Sequence, residues 1–355
     1  MKILIVNPGS TSTKMGLYEN GGLTFDKTLR HSTSELVPFA KVGEQYDFRM
    51  NVILAELAAQ GISTDGLAAV VGMGGLLAPL AGGTYIVNDV MRDDLASGKY
   101  GEHASNLGGL IARAIADKQG IPSYIVDPVV VDEMDEISRI SGHPAIERRS
   151  IFHALNQKAI ARKFCSEHGK KYYESRLIVV HMGGGISCSL HVNGKAIDTN
   201  NALDGDGSFT PERSGSLPVG DLAALCFGGK VTHDEVKKMI TGKGGVTAYM
   251  GTNSMLDLEN NALAGDEKSL LIMNAMALQI SKDIAQMAAS ACGDVEAILL
   301  TGGIAHGKPI TDEITRRIGF IAPVHVYAGE DELTALAEGA HRVLTGYEEV
   351  RIYVG

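Results

Sequence analysis

Three turns rich in glycine and serine, each directly after a short apolar run, are the segments of this sequence best suited to bind an anion. The apolar runs end at Val6, Val180 and Leu300. Turns with small side chains at strand ends let backbone N–H groups approach an anion closely, and a helix that follows adds its dipole to the attraction. Three such turns in one chain favour a site for the phosphates of a nucleotide.

Well-known single motifs do not account for these turns. Residues 302–308 match the first seven positions of a P-loop, but Pro309 occupies the place of the Ser or Thr that binds Mg²⁺. Proline has neither a hydroxyl nor an N–H, so we reject the P-loop interpretation. The chain also lacks the Gly-x-Gly-x-x-Gly run of dinucleotide-binding folds and the Gly-x-Ser-x-Gly elbow of serine hydrolases.

Four polar residues at strand ends or in turns are candidates for phosphate chemistry. Asn7 could orient a water molecule on Mg²⁺, although asparagine also stabilises ordinary turns. Lys14 is either a phosphate ligand or a solvated lysine, and Asp127 is either a rigidly held carboxylate in a cleft or a strand stop before proline. Arg213, among turn residues, could reach a phosphoryl group because its guanidinium is planar and permanently charged.

Other polar groups fit ordinary structural roles as well as functional ones. His153 and His181 are either catalytic or are core and capping histidines. The acidic run after the aspartate at 127 is expected on an exposed helix face, and it comprises Asp132, Glu133, Asp135 and Glu136. Residues 204–207 resemble part of a calcium loop but lack its later glutamate, so they predict a turn.

Strands alternate with helices along the chain, as in α/β proteins. Apolar, β-branched runs predict strands at residues 3–7, 14–18, 23–29, 68–71, 84–87 and 123–126. Apolar residues three and four positions apart predict helices over residues 45–60, 103–118, 154–164 and 332–344.

Two segments share one pattern and predict an internal duplication. Residues 4–13 lead to Asn20-Gly21, and residues 178–187 lead to Asn193-Gly194, which is an offset of 173 residues between the two Asn-Gly pairs. Each segment contains an apolar strand, a turn of small residues, a second strand and a hairpin signal. The sequence therefore predicts two copies of one α/β unit, with a boundary near residues 142–150.

Composition excludes several classes of protein. The 355 residues carry 32 basic and 42 acidic side chains, and a net charge of −10 makes nucleic acid an unfavourable partner. Residues 66–88 are uncharged, but their six glycines and one proline favour strands over a membrane helix. Four cysteines, far apart in sequence, form neither a disulfide scaffold nor a zinc motif, which favours a reducing, cytoplasmic location.

Several long runs resemble the signatures of the acetate kinase family. They are Asn7-Pro-Gly-Ser-Thr-Ser-Thr-Lys14, residues 181–187, residues 209–215 and residues 301–304. The first of these runs and residues 152–159 are most similar to the butyrate kinase branch. The resemblance is ordered along nearly the whole chain.

This resemblance implies an α/β fold of two duplicated RNase H-like domains, of the actin and sugar-kinase type, with a nucleotide cleft between them. The first domain would comprise residues 1–148 and be completed by the C-terminal helix at 332–355. The second, residues 149–331, would be the nucleotide-binding domain. A homodimer or a larger homo-oligomer is also implied.

The resemblance also implies roles for individual residues. Asn7 and Glu332 match the Mg²⁺ positions. The catalytic positions are matched by Asp127, His153 and Arg213. The nucleotide positions are matched by Ser10, Ser12, Lys14, His181, Gly183, Gly184, Gly185, Gly302 and Gly303.

The activity implied is reversible phosphorylation of a short-chain carboxylate by ATP, with butyrate or isobutyrate preferred. Such a transfer requires alignment and charge neutralisation more than covalent help from the protein. The alternatives are an actin-like ATPase switch and a pseudo-kinase that binds ATP without turnover. Met73 departs from the pattern, because the branch has arginine there, and methionine offers bulk without charge.

Overall fold

The computed structural model describes all residues 1–355, which form twelve strands and thirteen α-helices. The strands are β1 (Lys2–Pro8), β2 (Ser12–Glu19), β3 (Gly22–Arg30), β4 (Ala69–Met73), β5 (Thr84–Ile86), β6 (Ser123–Val126), β7 (Arg176–Met182), β8 (Ile186–Val192), β9 (Lys195–Thr199), β10 (Ala297–Gly302), β11 (Val324–Ala328) and β12 (Arg351–Ile352). The helices are α1 (Thr33–Leu36), α2 (Tyr46–Ala59), α3 (Asp89–Ser97), α4 (Asn106–Gln119), α5 (Glu136–Arg139), α6 (Ala154–Glu167), α7 (Val219–Phe227), α8 (His233–Ile240), α9 (Gly245–Met250), α10 (Met255–Leu263), α11 (Glu267–Ser290), α12 (Lys308–Ile318) and α13 (Glu332–Leu344).

The chain divides into two compact units. The first comprises Met1–Val131 and Asp331–Gly355, and the second comprises Asp132–Glu330. The chain therefore passes into the second unit at residue 132, whereas the sequence places the boundary after residue 148. Residues 132–148 lack a regular strand or a long helix, so local sequence patterns hold little information about the unit with which they pack.

The first unit is built on a seven-stranded sheet with the order β12-β5-β6-β4-β1-β2-β3. The inner strand β1 pairs antiparallel with β2 and parallel with β4, and β4 pairs parallel with β6. Leu4 and Val6 of β1 pack in one core with Ile53 of α2 and Ile111 of α4. Helix α13 packs against the same sheet, so β1 is buried on both faces and contains a continuous apolar run.

The second unit is built on a five-stranded sheet with the order β11-β10-β7-β8-β9. Alternate residues of β7 enter two different cores. Ile178 and Val180 pack with Ile280 of α11, whereas Val179 packs with Phe164 of α6. Because helices cover both faces of this sheet, the inner strands β7 and β10 carry continuous apolar runs at residues 177–180 and 297–300.

The two sheets share one hairpin design, which supports the predicted duplication. The turns Asn20-Gly21 and Asn193-Gly194 both have positive φ at each residue, as type I′ hairpins require. The register of β2 against β3 shifts after Leu17, and that of β8 against β9 shifts after Leu190. These shifts lie at the same 173-residue offset as the turns, so the copies agree even in their irregularities.

Most of the predicted elements are confirmed, and one surface prediction is wrong in part. The six predicted strands and four predicted helices all occur, with ends that move by a few residues. In the acidic run, Asp135 and Glu136 are exposed at the start of α5 as predicted, but Glu133 lies before this helix and has a buried side chain. The Glu133 side chain is 7% exposed, and its Oε2 lies 2.7 Å from Nζ of Lys158, which is 2% exposed. Lys158 lies in α6 and is buried there, although a lysine in a helix is usually exposed to solvent. No helix has both the length and the apolar character needed to cross a membrane.

Asp283, in the middle of α11, is expected to make stability depend on pH. Its Oδ2 accepts a hydrogen bond of 2.7 Å from the Ser208 backbone N–H, and burial raises the pKa of its carboxyl to about 6. The folded protein therefore keeps a proton that the unfolded chain has already released, and stability falls as pH rises from about 4 to about 6. The loss is about 3 kcal/mol in full.

Asp283→Asn should therefore unfold at a higher temperature than the parent at pH 7, with a difference that shrinks toward pH 4. Thermal unfolding followed by circular dichroism at several pH values measures this. Asp234→Asn, at an 87% exposed side chain, is the control and should change little at any pH. A constant difference between Asp283→Asn and the parent across this range contradicts the assignment.

Candidate active site

The first unit gathers three candidate residues at one edge of its sheet. Val6 of β1 lies beside Gly72 of β4, and Met73 of β4 lies beside Val126 of β6. Because these strands are parallel, Asn7, Met73 and Asp127 all stand at their carboxyl ends. This edge is where open α/β sheets bind ligands.

Asn7, Lys14 and Glu332 form one hydrogen-bonded cluster in this unit. Nδ2 of Asn7 donates to Oε2 of Glu332 at 2.7 Å, and Nζ of Lys14 donates to the same oxygen at 3.0 Å. Glu332 is the first residue of α13, whose N-cap is Asp331. The 40% exposed Lys14 and the 22% exposed Glu332 remain open to a ligand.

The donor set of this cluster fits Mg²⁺. Asn7 Oδ1 and Glu332 Oε1 are hard oxygen donors, and both recorded hydrogen bonds of Glu332 use its other oxygen. The chain has no group of three or more His, Cys, Asp or Glu residues that could hold a metal ion. A magnesium ion bound by few protein ligands and by phosphates is compatible with such a sparse site.

Asp127 is held in a strained and buried position directly after β6. Its φ is +37°, a region that costs an ordinary residue about 1–3 kcal/mol, and its side chain is almost fully buried. Oδ1 accepts a hydrogen bond of 2.6 Å from the Gly83 N–H, and the Asp127 N–H donates to Gly83 O. The backbone thus fixes the carboxylate, as the cleft interpretation of Asp127 requires.

The turn that carries Ser10 and Ser12 is supported by a buried arginine that the sequence analysis missed. Arg49 of α2 is fully buried and donates to the carbonyl oxygens of Ser10 and Ser12 at 3.2 and 2.8 Å. It also donates to Gln45 Oε1, one helical turn earlier. Its recorded acceptors are all neutral, so its positive charge lies behind the turn without a carboxylate. The spacing Gln45-x-x-x-Arg49 is the only sequence signal for it.

The second unit places its two glycine turns on neighbouring parallel strands. His181 of β7 lies beside Thr301 of β10, so residues 183–185 and Gly302-Gly303 follow adjacent strand ends. Gly302 has a φ of +90°, and a Cβ there would lie 2.4 Å from the Met182 carbonyl oxygen. The close approach of the Met182 backbone therefore requires glycine at position 302, the first glycine of the Thr-Gly-Gly signature.

His153 and His181 come together as a stacked pair. Their ring centroids lie 3.8 Å apart with an interplanar angle of 12°. Burial, together with the nearby His181 and Arg213, lowers the pKa of His153 well below its usual value. Nδ1 of His181 lies 2.8 Å from Asn156 Oδ1, and its Nε2 lies 3.2 Å from Glu330 Oε1. The predicted roles of these histidines remain predictions, but they are not isolated core residues.

Arg213 extends its guanidinium across the third glycine of the turn. A Cβ at Gly185 would lie 2.4 Å from Arg213 Nη1 and 3.2 Å from His153 Cε1, so a side chain here would displace the guanidinium from its place against the turn. Nη1 donates to the Ala202 carbonyl oxygen at 2.6 Å, whereas the buried Nε has no partner. Burial lowers the pKa of Arg213, and Glu212 opposes this shift.

Each unit therefore assembles its own share of the candidates. The first unit joins Asn7, Lys14 and Glu332, and it places Asp127 at the same sheet edge. The second unit joins His153, His181, Gly185 and Arg213. Ser187, which contacts His153, ends the 181–187 signature but was not singled out as a site residue, and Glu330, which contacts His181, had no sequence signal.

Comparisons with known proteins identify the family of this chain. A family model described as the Acetokinase family matches residues 143–328. Butyrate kinase 2 of Clostridium acetobutylicum is 54% identical over 352 residues, which cover 99% of both chains.

Solved structures confirm the predicted fold class. The acetate kinase of Porphyromonas gingivalis superposes with a TM-score of 0.79 at 20% identity, covering 97% of this chain and 99% of that one. The ROK hexokinase of Thermus thermophilus superposes with a TM-score of 0.50 at 14% identity, covering 96% and 98%. At these identities the likeness concerns the fold alone, which is shared with a sugar kinase. From the family model and the full-length relative, this chain belongs to the acetokinase family.

Proposed function

We propose that this protein is an ATP-dependent carboxylate kinase that converts butyrate to butyryl phosphate and runs the reverse reaction to form ATP. Full-length identity of 54% to a protein named Butyrate kinase 2 supports the substrate. One structural observation carries the chemistry: the stacked His153 and His181, with the Arg213 guanidinium against Gly185, form a partly buried cluster of polar side chains beside a phosphate-type turn.

Arg213 and His153 are proposed to neutralise the transferring phosphoryl group. That group spreads negative charge over three equatorial oxygens, and fixed donors in a buried site stabilise it without reorganising at the moment of reaction. The free Nε and the fork of Arg213 suit two oxygens at once. Butyrate is already ionised at pH 7, so no side chain needs to take its proton.

The first unit is proposed to organise the reactants. Mg²⁺, when bound by Asn7 and Glu332 together with nucleotide phosphates, would neutralise charge on those phosphates. Lys14 adds a mobile positive charge beside Glu332. Asp127, fixed by Gly83, would position the attacking group rather than act as a base. The glycine turns and Ser10 and Ser12 are proposed to bind the nucleotide through backbone N–H and hydroxyl donors.

Met73 supports a preference for acids longer than acetate. It is half-buried at the carboxyl end of β4, between the strands that end at Asn7 and Asp127. The uncharged, flexible side chain of Met73 could pack against an acyl chain. The arginine of the branch pattern would instead place a charge against that apolar chain, which is unfavourable. This placement makes Met73 a candidate determinant of acyl-chain length.

The test is formation of acyl phosphate from Mg-ATP and a series of acids, trapped with hydroxylamine. We expect the highest kcat/KM for butyrate or isobutyrate, and lower values for acetate, propionate and valerate. Each methylene placed in a fitting pocket contributes about 0.8 kcal/mol, so butyrate should exceed acetate by about tenfold. Activity that peaks at acetate contradicts the proposed pocket. No acyl phosphate from any acid, with ATP still bound, contradicts the kinase proposal.

Four further properties complete the proposal. A homodimer is proposed because α7, α10 and α11 leave large apolar side chains exposed, among them Phe227, Leu256 and Leu271. A cytoplasmic location is proposed from the family. The use of Mg²⁺ is proposed from the family and from the oxygen donors of Asn7 and Glu332. Small carboxylates and adenine nucleotides are the proposed partners, with neither nucleic acid nor membrane.

A further inference from the structure

We infer that Ser187 and Gln157 hold the His153 imidazole as a neutral tautomer with its proton on Nε2, so that it is a fixed hydrogen-bond donor. The identity of the group that receives this bond, a phosphoryl oxygen, rests on the proposed function. The tautomer itself does not, because a chain of buried hydrogen bonds determines it.

The fixed point of this chain is the backbone carbonyl of Ser187. A carbonyl oxygen only accepts, and Gln157 Nε2 lies 3.0 Å from it, so the amide nitrogen must face that side. The same nitrogen lies 2.8 Å from Ser187 Oγ and donates its second proton there. A flipped amide would place two acceptor oxygens against each other at the Ser187 carbonyl.

The Ser187 hydroxyl then has one possible role toward His153. Its oxygen accepts from Gln157 Nε2 and, at 3.3 Å, from the His153 backbone N–H, which uses both of its lone pairs. Its single proton is left for His153 Nδ1, 2.8 Å away. Nδ1 must therefore be an acceptor, and the proton of the neutral ring resides on Nε2.

The hydrogen bonds on the other side of Gln157 run in the same donor-to-acceptor direction. Gln157 Oε1 accepts at 3.0 Å from Nε2 of His191, so Nδ1 of His191 accepts from the Tyr172 hydroxyl at 2.8 Å. Burial lowers the pKa of His191 well below its usual value, with contributions from the Lys158 and Arg162 charges. All four supporting side chains are buried. The chain thus runs from tyrosine to His153 without requiring a charge.

The charged groups around His153 favour the same state. His181 stacks on it, and Arg213 lies near it across Gly185. Burial, together with these two neighbours, lowers the pKa of His153 well below its usual value. A second proton on this ring would stand beside the guanidinium charge, so His153 remains neutral.

In this arrangement His153 can donate a hydrogen bond but cannot accept a proton from a substrate. With Nδ1 bonded to Ser187 and Nε2 protonated, neutral His153 has no free lone pair and cannot serve as a general base. It can only donate from Nε2. That agrees with a carboxylate nucleophile, which has no proton to lose. Ser187 and Gln157 are positioning residues in this scheme.

The tautomer can be measured directly by NMR of protein labelled with ¹⁵N in histidine, using two-bond couplings from the ring protons. The His153 signals are assigned as those lost in His153→Gln. We expect protonated Nε2 and unprotonated Nδ1 in the parent, unchanged between about pH 6 and pH 8. A protonated Nδ1, or an imidazolium at pH 7, overturns the inference, whether or not the protein phosphorylates any acid.

Ser187→Ala tests the cause. It should let His153 populate both tautomers, and it should lower kcat about tenfold while KM for ATP changes less than about twofold. Ser187→Thr, which keeps the hydroxyl, should restore the single tautomer. Ser189→Ala is the matched control, because Ser189 is equally buried on the same strand but bonds Thr199 instead. If Ser187→Ala leaves the His153 tautomer unchanged, Ser187 does not set it.

If the acids tested give no acyl phosphate with the parent but the tautomer is as expected, the proposed function fails and the inference stands. If acyl phosphate forms and His153 carries its proton on Nδ1, the proposed function stands and the inference fails. The two results are therefore independent.

Discussion

Arg213→Ala should lower kcat for acyl phosphate formation by about 10³-fold or more, the range typical of an arginine that neutralises a transferring phosphoryl group. Arg213 is half-buried, its Nε has no partner, and it lies against Gly185 beside His153. Arg213 is the arginine that contacts Gly185, so its removal takes the guanidinium away from this turn. Steady-state and single-turnover kinetics with Mg-ATP and butyrate measure the effect.

Arg213→Lys separates charge from shape. Lysine keeps the positive charge but lacks the planar fork, so it should recover only part of the lost rate. Arg149→Ala is a suitable control, because Arg149 lies in the same unit and is 69% exposed, at 3.6 Å from Asp204. The Ala202 carbonyl oxygen loses a donor in Arg213→Ala, which should cost about 1 kcal/mol of stability. A kcat within about tenfold of the parent contradicts the catalytic assignment.

Lys158→Met should lower the free energy of unfolding by about 3–5 kcal/mol, since it leaves a buried carboxylate without its cation. Nζ of Lys158 bonds Glu133 Oε2 at 2.7 Å and the Gly194 carbonyl oxygen at 2.9 Å. The same carboxylate oxygen accepts from the Ala196 N–H at 2.9 Å. The pair thus ties the start of the second unit to α6 and to the β8–β9 hairpin. Urea unfolding followed by circular dichroism gives the loss.

Two further variants show whether the buried charge is the cause. Lys158→Met with Glu133→Gln removes both charges, and it should be more stable than Lys158→Met alone. Lys170→Met breaks an exposed pair with Glu296, whose side chains are 39% and 31% exposed, and should cost at most about 1 kcal/mol. Equal losses for Lys158→Met and Lys170→Met contradict a special role for the buried pair.

The sequence was a good guide wherever the relevant signal was local. Apolar runs predicted β1 to β6 and indicated β7, β8 and β10, whereas β9, β11 and β12 were not predicted. Helices α2, α4, α6 and α13 were also predicted, α4 from its 3-and-4 spacing. The Asn-Gly turns predicted the two hairpins, because positive φ at consecutive residues selects these residue types. The family signatures predicted the fold class, which the solved structures confirm.

Local patterns failed for residues whose environment is made by distant chain segments. Lysine and glutamate in polar segments are usually surface residues, so the sequence did not predict the buried Lys158–Glu133 pair. For the same reason it did not predict that Glu133 belongs to the second unit. Arg49 looks like an ordinary helix residue, yet it supports a turn some forty positions earlier. In each case the partner is chosen by packing, whereas periodicity reports only which face of an element is apolar.

By itself, the sequence determined which residue types stand at strand ends: small residues in the turns, Asn7 and Asp127 after apolar strands, and Arg213 in a loop. Only the tertiary structure decided their contacts. It brings Glu332 to Asn7 across 325 positions of chain, and it directs a serine hydroxyl at His153. Hydrogen bonds act over about 3 Å, so sheet register and helix packing, rather than spacing along the chain, select the partners.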